Sequence, residues 1–332
     1  MKPEQFERFV DPSSRTALRL QDAEISGGDV RSGRLVDSTG KISFPVVDFI
    51  PRFVPADNYA VNFGLQWNAH RSTQLDSHNG STYSRDRFFA ATAWPADLTG
   101  QRVLEAGSGA GRFTEILVGT GADVYSCDFS GAVEANYANN GRARNLTLFQ
   151  GSIYALPFPE QSFDRVVCLG VLQHTPDPQK TFDCLAKMVR PGGSLVVDAY
   201  SQSWKQLLHW KYLLRPLAKR LPPPRLYSLV AWYTPKLMPV AAVLRRVGGR
   251  AGARLVPILD QSDKAVSAEI QRDWTILDTF DALSPAFDHP QSGATLRRWF
   301  EARGFDAVEV TGDALVVARG SRPAIGAARP AA

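Results

Sequence analysis

The amino-acid sequence predicts an α/β fold: a mostly parallel sheet between helices, closed by antiparallel strands, with a small β-rich lobe before it and a helical insertion inside it. Three observations carry this. From Arg102 onward, short β-type runs alternate with stretches of helical period, the order that gives parallel strands joined by right-handed crossovers. Near the end, two β-type runs flank Thr311-Gly312-Asp313, a tight-turn signal. Between these regions, Ser201–Leu259 holds eleven Lys and Arg residues and no Asp or Glu, so its composition sets it apart.

Taken in order, residues 1–55 mix β-type runs with turn signals such as Ser26-Gly27-Gly28 and Ser38-Thr39-Gly40, which predicts the small lobe. Residues 56–200 and 291–320 are expected to form the core. Tyr59, Phe63, Trp67, Phe88 and Phe89 fall at roughly helical intervals and lead into it. Strands are expected at Val103–Ala106, Asp123–Cys127, Leu146–Gln150, Arg165–Leu169 and Ser194–Ala199, with helices over Gly111–Gly119 and Gln179–Val189. Residues 201–290 form the insertion, expected to be a helical lid. A helix over Thr295–Arg303 and a hairpin of Ala307–Val310 with Ala314–Ala318 close the core, and 321–332 is expected to be a disordered tail.

Composition narrows the class. With 332 residues the chain is long enough for one full α/β domain plus accessories, and 44% apolar with 21% charged residues is ordinary for a globular protein. No basic start, apolar run and cleavage site open the chain, so it reads as unexported and cytoplasmic. Cys127, Cys168 and Cys184 lack CxxC spacing, which argues against a disulfide framework or a cysteine-rich metal site; no metal is expected.

The most informative residues are Val103-Leu104-Glu105-Ala106-Gly107-Ser108-Gly109-Ala110-Gly111-Arg112-Phe113, an apolar strand entering a glycine-rich turn and then a helix. Glycines permit positive φ and close backbone approach to a ligand. A dinucleotide fingerprint needs glycine where Arg112 stands. Asp128 closes the second strand, where an acid can accept from both hydroxyls of a ribose; an Asp capping the next helix is the alternative. Gly151-Ser152-Ile153-Tyr154, then Gly170-Val171-Leu172-Gln173-His174 and Arg190-Pro191-Gly192-Gly193, follow the next three strands.

With these motifs in place, residues from about Arg102 to Ala199, and again near Thr295, resemble the class I S-adenosylmethionine (SAM)-dependent methyltransferases of the methyltransferase type 11 group. The resemblance implies a Rossmann-like seven-stranded methyltransferase sheet whose last strand is antiparallel, with SAM as cofactor. It places Glu105, Gly107, Gly109 and Gly111 about the methionine part of SAM, Asp128 on the ribose, and Phe129 and Ile153 on the adenine, and it counts Ser108 and Gly170 among the cofactor-binding residues. Ser152 stands where relatives often carry an acid for the adenine amine. Residues 63–76 resemble the segment preceding the core in the same relatives, where Arg71 or Thr73 offers a partner for the SAM carboxylate; an ordinary surface helix with one arginine is the alternative. The N-terminal lobe resembles a zinc-ribbon domain without its cysteines: Asp11, Ser14, Val36 and Thr39 occupy the cysteine positions, so a metal-free lobe used for packing or docking is expected.

Methyl transfer requires alignment more than acid–base help. His174 is the candidate general base, against a histidine that packs or caps the helix through Asp177; His289 beside Asp288 lies in a loop that reaches toward the same region. The insertion, with Trp204, Leu207, Leu208, Trp210, Tyr212, Leu213 and Leu214 among basic residues, is expected to choose the acceptor. Three readings of residues 201–259 stand open: peripheral contact with an anionic membrane on its inner face, a pocket for a phosphorylated substrate, or a solvated face. The expected activity is methyl transfer to a small-molecule or lipid-like acceptor. A nucleic-acid methyltransferase is disfavoured because Leu172-Gln173-His174-Thr175 stands where such enzymes commonly carry Asn-Pro-Pro-Tyr or Asp-Pro-Pro-Tyr. A catalytically silent SAM-binding scaffold is the third class.

Overall fold

A computed structural model describes residues 1–55, 58–202 and 209–324. The N-terminal lobe is an antiparallel sheet of β1 (Arg19–Ser26), β2 (Asp29–Val36), β3 (Ser43–Val47) and β4 (Ile50–Pro51), in that order. Helices α1 (Val61–Ala69), α2 (Asp76–Asn79) and α3 (Tyr83–Thr92) lead into the main sheet.

That sheet has seven strands: β5 (Arg102–Ala106), β6 (Asp123–Asp128), β7 (Leu146–Gln150), β8 (Phe163–Cys168), β9 (Val189–Tyr200), β10 (Asp306–Thr311) and β11 (Leu315–Ser321), in the spatial order β10-β11-β9-β8-β5-β6-β7. β5 through β9 pair in parallel, and β11 runs antiparallel to both β9 and β10. This is the Rossmann-like seven-stranded sheet that the sequence resemblance implies, with its reversed last strand. Every residue of the central strand β5 after Arg102 is buried, as in a strand covered on both faces. Helices α4 (Arg112–Gly119), α5 (Ala132–Asn140) and α6 (Pro178–Met188) provide crossovers, and α10 (Gly293–Ala302) precedes the final hairpin. The chain leaves β5 toward β6 on one side and comes back to β8 on the other, so a crevice opens at the carboxyl ends of β5 and β8, where α/β sheets hold ligands.

The insertion consists of α7 (Trp210–Ala218), α8 (Pro223–Ala253, broken at Gly249, φ 60°) and α9 (Ala268–Leu283). Ala218, Leu226, Val230, Ile276, Phe280 and Leu283 form its core, against which Leu65 of α1 packs, so the insertion sits beside the crevice. Lys205, Trp204, Leu207 and Leu208 lie outside the described residues. Residues 321 and 322 are ordered where a tail was expected: Ser321 ends β11, and Arg322 exchanges backbone hydrogen bonds with Gly192 and Gly193, which holds it to the sheet. Residues 325–332 are outside the described residues.

Phe6, Phe9, Leu18, Val30, Leu35 and Val46 of the lobe join Tyr125, Phe149, Phe158 and Phe163 of the main sheet in one hydrophobic cluster. Two turns of the lobe are organised by carboxylates. Asp11 accepts from the backbone N–H groups of Ser13 and Ser14, and Asp37 from Thr39 Oγ1 and the N–H of Ile42. Among the described residues no group of three or more His, Cys, Asp or Glu side chains is placed to hold a metal ion.

Candidate functional site

A cavity of about 650 Å³ occupies the crevice, between the glycine turn after β5, α1, α3 and the insertion. The turn is built by backbone geometry. Gly107, Gly109 and Gly111 have φ of 80°, 53° and 87°, values that disfavour any residue with a Cβ. The N–H groups of Gly107 and Ser108 donate to the Cys127 carbonyl at 2.8 and 2.9 Å, tying the turn to β6. A Cβ on Gly107 would run into the Val171 side chain, and one on Gly109 would come within 3.1 Å of the Trp67 ring. Gly107, Ser108 and Gly109 line the cavity. Gly111 is turned away, because a Cβ there would collide with Asn136 and Asn140 of α5.

Glu105 is likewise not a lining residue. Its Oε2 accepts from Thr114 Oγ1 at 2.5 Å and Ser126 Oγ at 2.7 Å, beneath the turn, and burial raises its pKa from 4.5 to about 7 against these hydrogen bonds. It braces the loop from below.

Asp128 lines the cavity at the end of β6. Its Oδ2 accepts from the N–H of Gly109 at 2.8 Å, and its Oδ1 from the N–H and Oγ of Ser130 at 2.8 and 2.7 Å. One carboxylate thus joins two loops; burial pushes its pKa up while these bonds pull it down. Phe129, Ser152, Ile153 and Tyr154 extend the same wall, with the Tyr59 ring 4.9 Å from that of Phe129. Gly170 also lines the cavity, its N–H held by Asp198.

Arg71 is exposed on the outer surface and does not line the cavity; its carbonyl accepts from Asn139. The arginines in the cavity are Arg87 and Arg112, which sequence reasoning missed. Arg87 pairs with Asp198 at 2.8 Å, and Arg112 donates to Gln74. The Nε of each has no partner among the described residues. Burial, reinforced by Arg87, lowers the Arg112 pKa to about 9. Ser108 Oγ is also buried without a partner among the described residues. The cavity lining therefore includes a carboxylate, aromatic rings and two under-partnered guanidinium groups. This donor set fits a ligand that carries a nucleoside at one end and a carboxylate at the other.

His174 faces the same space, nearly buried. Its Nδ1 lies 3.1 Å from the Phe287 carbonyl, and a carbonyl only accepts, so Nδ1 is the donor. With Nδ1 donating, Nε2 is the nitrogen that carries the lone pair whenever the ring is neutral, and it has no partner among the described residues. The helix at Asp177 is capped by Asp177 itself, through Lys180 N, so His174 is not needed there. The Tyr200 ring packs 5.5 Å from His174, and the Lys211 ammonium sits 4.5 Å from the Tyr200 centroid. Lys211 and Arg215 both pair with the buried Asp288. Burial lowers the Lys211 pKa against Asp288, and it lowers that of His209, another lining residue, to about 4.

The insertion contributes Asp278 and Asp281, also missed in the sequence. Asp278 accepts from Gln261 Nε2 at 2.6 Å, and Asp281 from Gln66 Nε2 at 3.0 Å. Burial and the neighbouring Asp281 raise the Asp278 pKa to about 7. A signal was present: two acids three apart among Ile276, Leu277 and Phe280, on what is otherwise the apolar face of a helix.

Residues 104–197 match the family model described as a methyltransferase domain. Over 131 residues the chain is 31% identical to a ubiquinone biosynthesis O-methyltransferase of Paraburkholderia phymatum, covering 38% of this chain and 56% of that protein. It is 30% identical over 115 residues to the protein of the same name from an Azoarcus species, covering 33% and 49%. The chain thus spans about half the length of these curated relatives. A SAM-dependent methyltransferase structure from Aquifex aeolicus overlays on 80% of this chain and 98% of its own, at 12% identity and a TM-score of 0.42, too loose to argue from.

Proposed function

From a chain that carries a methyltransferase domain of the class I, SAM-dependent kind, we propose that the whole protein transfers the methyl group of SAM to an oxygen of a small-molecule acceptor held between the sheet and the insertion. The observation that carries this is His174 Nε2, buried and without a partner among the described residues, in a cavity whose other lining suits SAM. The names of the curated relatives support an oxygen acceptor.

Asp128 would accept from the ribose hydroxyls, Phe129, Ser152 and Ile153 would flank the adenine, and the glycine turn would take the amino-acid chain. Arg87 and Arg112, with Ser108 Oγ, would hold its carboxylate, since guanidinium groups fork onto carboxylates. When bound, SAM supplies an electrophilic methyl group on a sulfonium. His174 Nε2 takes the proton from the acceptor hydroxyl, and its Nδ1–H bond to Phe287 fixes the ring for that transfer. The Lys211 ammonium places positive charge near the oxygen as the proton leaves. The insertion excludes water.

The test is incubation with methyl-labelled SAM and host extract, followed by separation of small molecules, lipids and nucleic acids. Label should enter the small-molecule or lipid fraction. His174→Gln should bind SAM normally in calorimetry while turnover falls by about 10²–10⁴-fold. Label confined to nucleic acid would overturn the reading, and unchanged turnover in His174→Gln would remove the base.

A further inference from the structure

The insertion turns unusual residues outward. Along α8, Leu226, Val230, Thr234 and Ala241 are buried against the rest of the insertion. On its opposite side Leu229, Trp232, Val240, Val243 and Val247 are exposed, Trp232 by 63% and Val247 by 85%. Their helical spacing makes one continuous stripe, and Lys236 falls within it, its ammonium 3.5 Å from the Trp232 ring centroid. In α7, Leu213, Leu217 and, just beyond it, Leu221 repeat the pattern at intervals of four, with Leu213 exposed by 78%. A helix facing only water carries polar residues there.

Charge says what covers this face. Lys211 and Arg215 are turned inward to Asp288, and Arg245 to Asp260 and Asp263. Arg220, Arg225, Lys236 and Arg246 are exposed beside the apolar stripe, and no acid occurs between Ser201 and Leu259. A protein partner would need polar complementarity across so long a strip. Interleaved leucine, valine, tryptophan and cations suit the headgroup boundary of an anionic bilayer. No helix among the described residues is long and apolar enough to cross a membrane, so these would lie in its plane.

We propose that the outer face of α7 and α8 docks on anionic lipid bilayers. The docking is independent of methyl transfer, although His209 and Lys211, at the start of α7, also line the cavity, so one helix borders the cavity and carries part of the docking face. Flotation with phosphatidylcholine vesicles, with and without phosphatidylglycerol, tests this. The wild type should float with the anionic vesicles at low ionic strength, leave them as salt rises, and ignore the neutral ones. A variant carrying Arg220→Gln, Arg225→Gln, Lys236→Gln and Arg246→Gln should lose partition by about fivefold per cation. Trp232→Ser with Val240→Ser and Val247→Ser should weaken binding at equal salt. Both variants should keep wild-type SAM affinity in calorimetry, which shows that they are folded and separates docking from the cofactor site. The proposal is overturned if the wild type stays with no anionic vesicle or if the variants float as it does. A wild-type dimer that the apolar variant converts to monomer, without vesicle binding, would overturn it in favour of a second copy of the chain.

Discussion

Glu105 shows how a single side chain can carry a cost for the sake of a loop. Its oxygens lie under the glycine turn, where Thr114 and Ser126 satisfy one of them and the other has no partner among the described residues. Because burial raises its pKa from 4.5 to about 7, the folded state favours the protonated form. Its contribution to stability is therefore full below about 4.5 and is lost as pH rises through about 7. Asp278, raised from 3.8 to about 7, acts with the same sign. Denaturant unfolding of the wild type should show falling stability between pH 5 and pH 8. In Glu105→Gln that fall should shrink by about 3 kcal/mol, leaving the part due to Asp278. An identical pH slope in the two proteins would mean that Glu105 does not titrate in this range.

At the scale of elements, α7 holds an asymmetry that only the fold reveals: one buried carboxylate, Asp288, faces both Lys211 and Arg215. Removing it strands two buried cations, so Asp288→Ala should cost about 3–5 kcal/mol, measured by denaturant midpoint. A loss below 1 kcal/mol would show that water already screens the pair. The same element shows where sequence reasoning stops. Trp210, Tyr212, Leu213 and Leu214 among basic residues announce a basic helix, but not which cations face inward, because Asp288 lies 73 residues after Arg215. The glycine turn and Asp128 were legible because their chemistry is local: a strand, positive-φ positions and the end of the next strand. Arg87 and Arg112 were not, since their role depends on how α3 packs beside the turn, and Arg71, equally plausible by residue type, points outward. Gly111 and Glu105 belong to the motif, yet they serve its scaffold and not its surface.

At the scale of the molecule, the lobe and the sheet are one hydrophobic unit. Phe9, fully buried, touches Phe53, Phe149 and Phe158 at centroid distances of 5.2, 5.6 and 5.3 Å, so a lobe residue sits among the aromatic rings of β7 and the loop after it. The lobe's main chain continues the joint, with Phe53 N–H donating to the Gln150 carbonyl at 2.9 Å and Val10 N–H to that of Pro157 at 3.0 Å. The turn signals announced a β-rich lobe, but its attachment was hidden because the phenylalanines that make it are about 140 residues apart in sequence. Phe9→Ala should remove a fully buried ring and leave a cavity, at a cost of about 3–5 kcal/mol. Because the cluster is shared, lobe and sheet should still unfold together. No tryptophan occurs in residues 1–55, so tryptophan fluorescence reports the rest of the chain, and amide exchange of β1 and β2 reports the lobe. Both should shift to lower denaturant by the same amount in the variant. If β1 and β2 exchanged freely while the tryptophan transition stayed at its wild-type midpoint, the lobe would be an appendage and Phe9 would stabilise it alone.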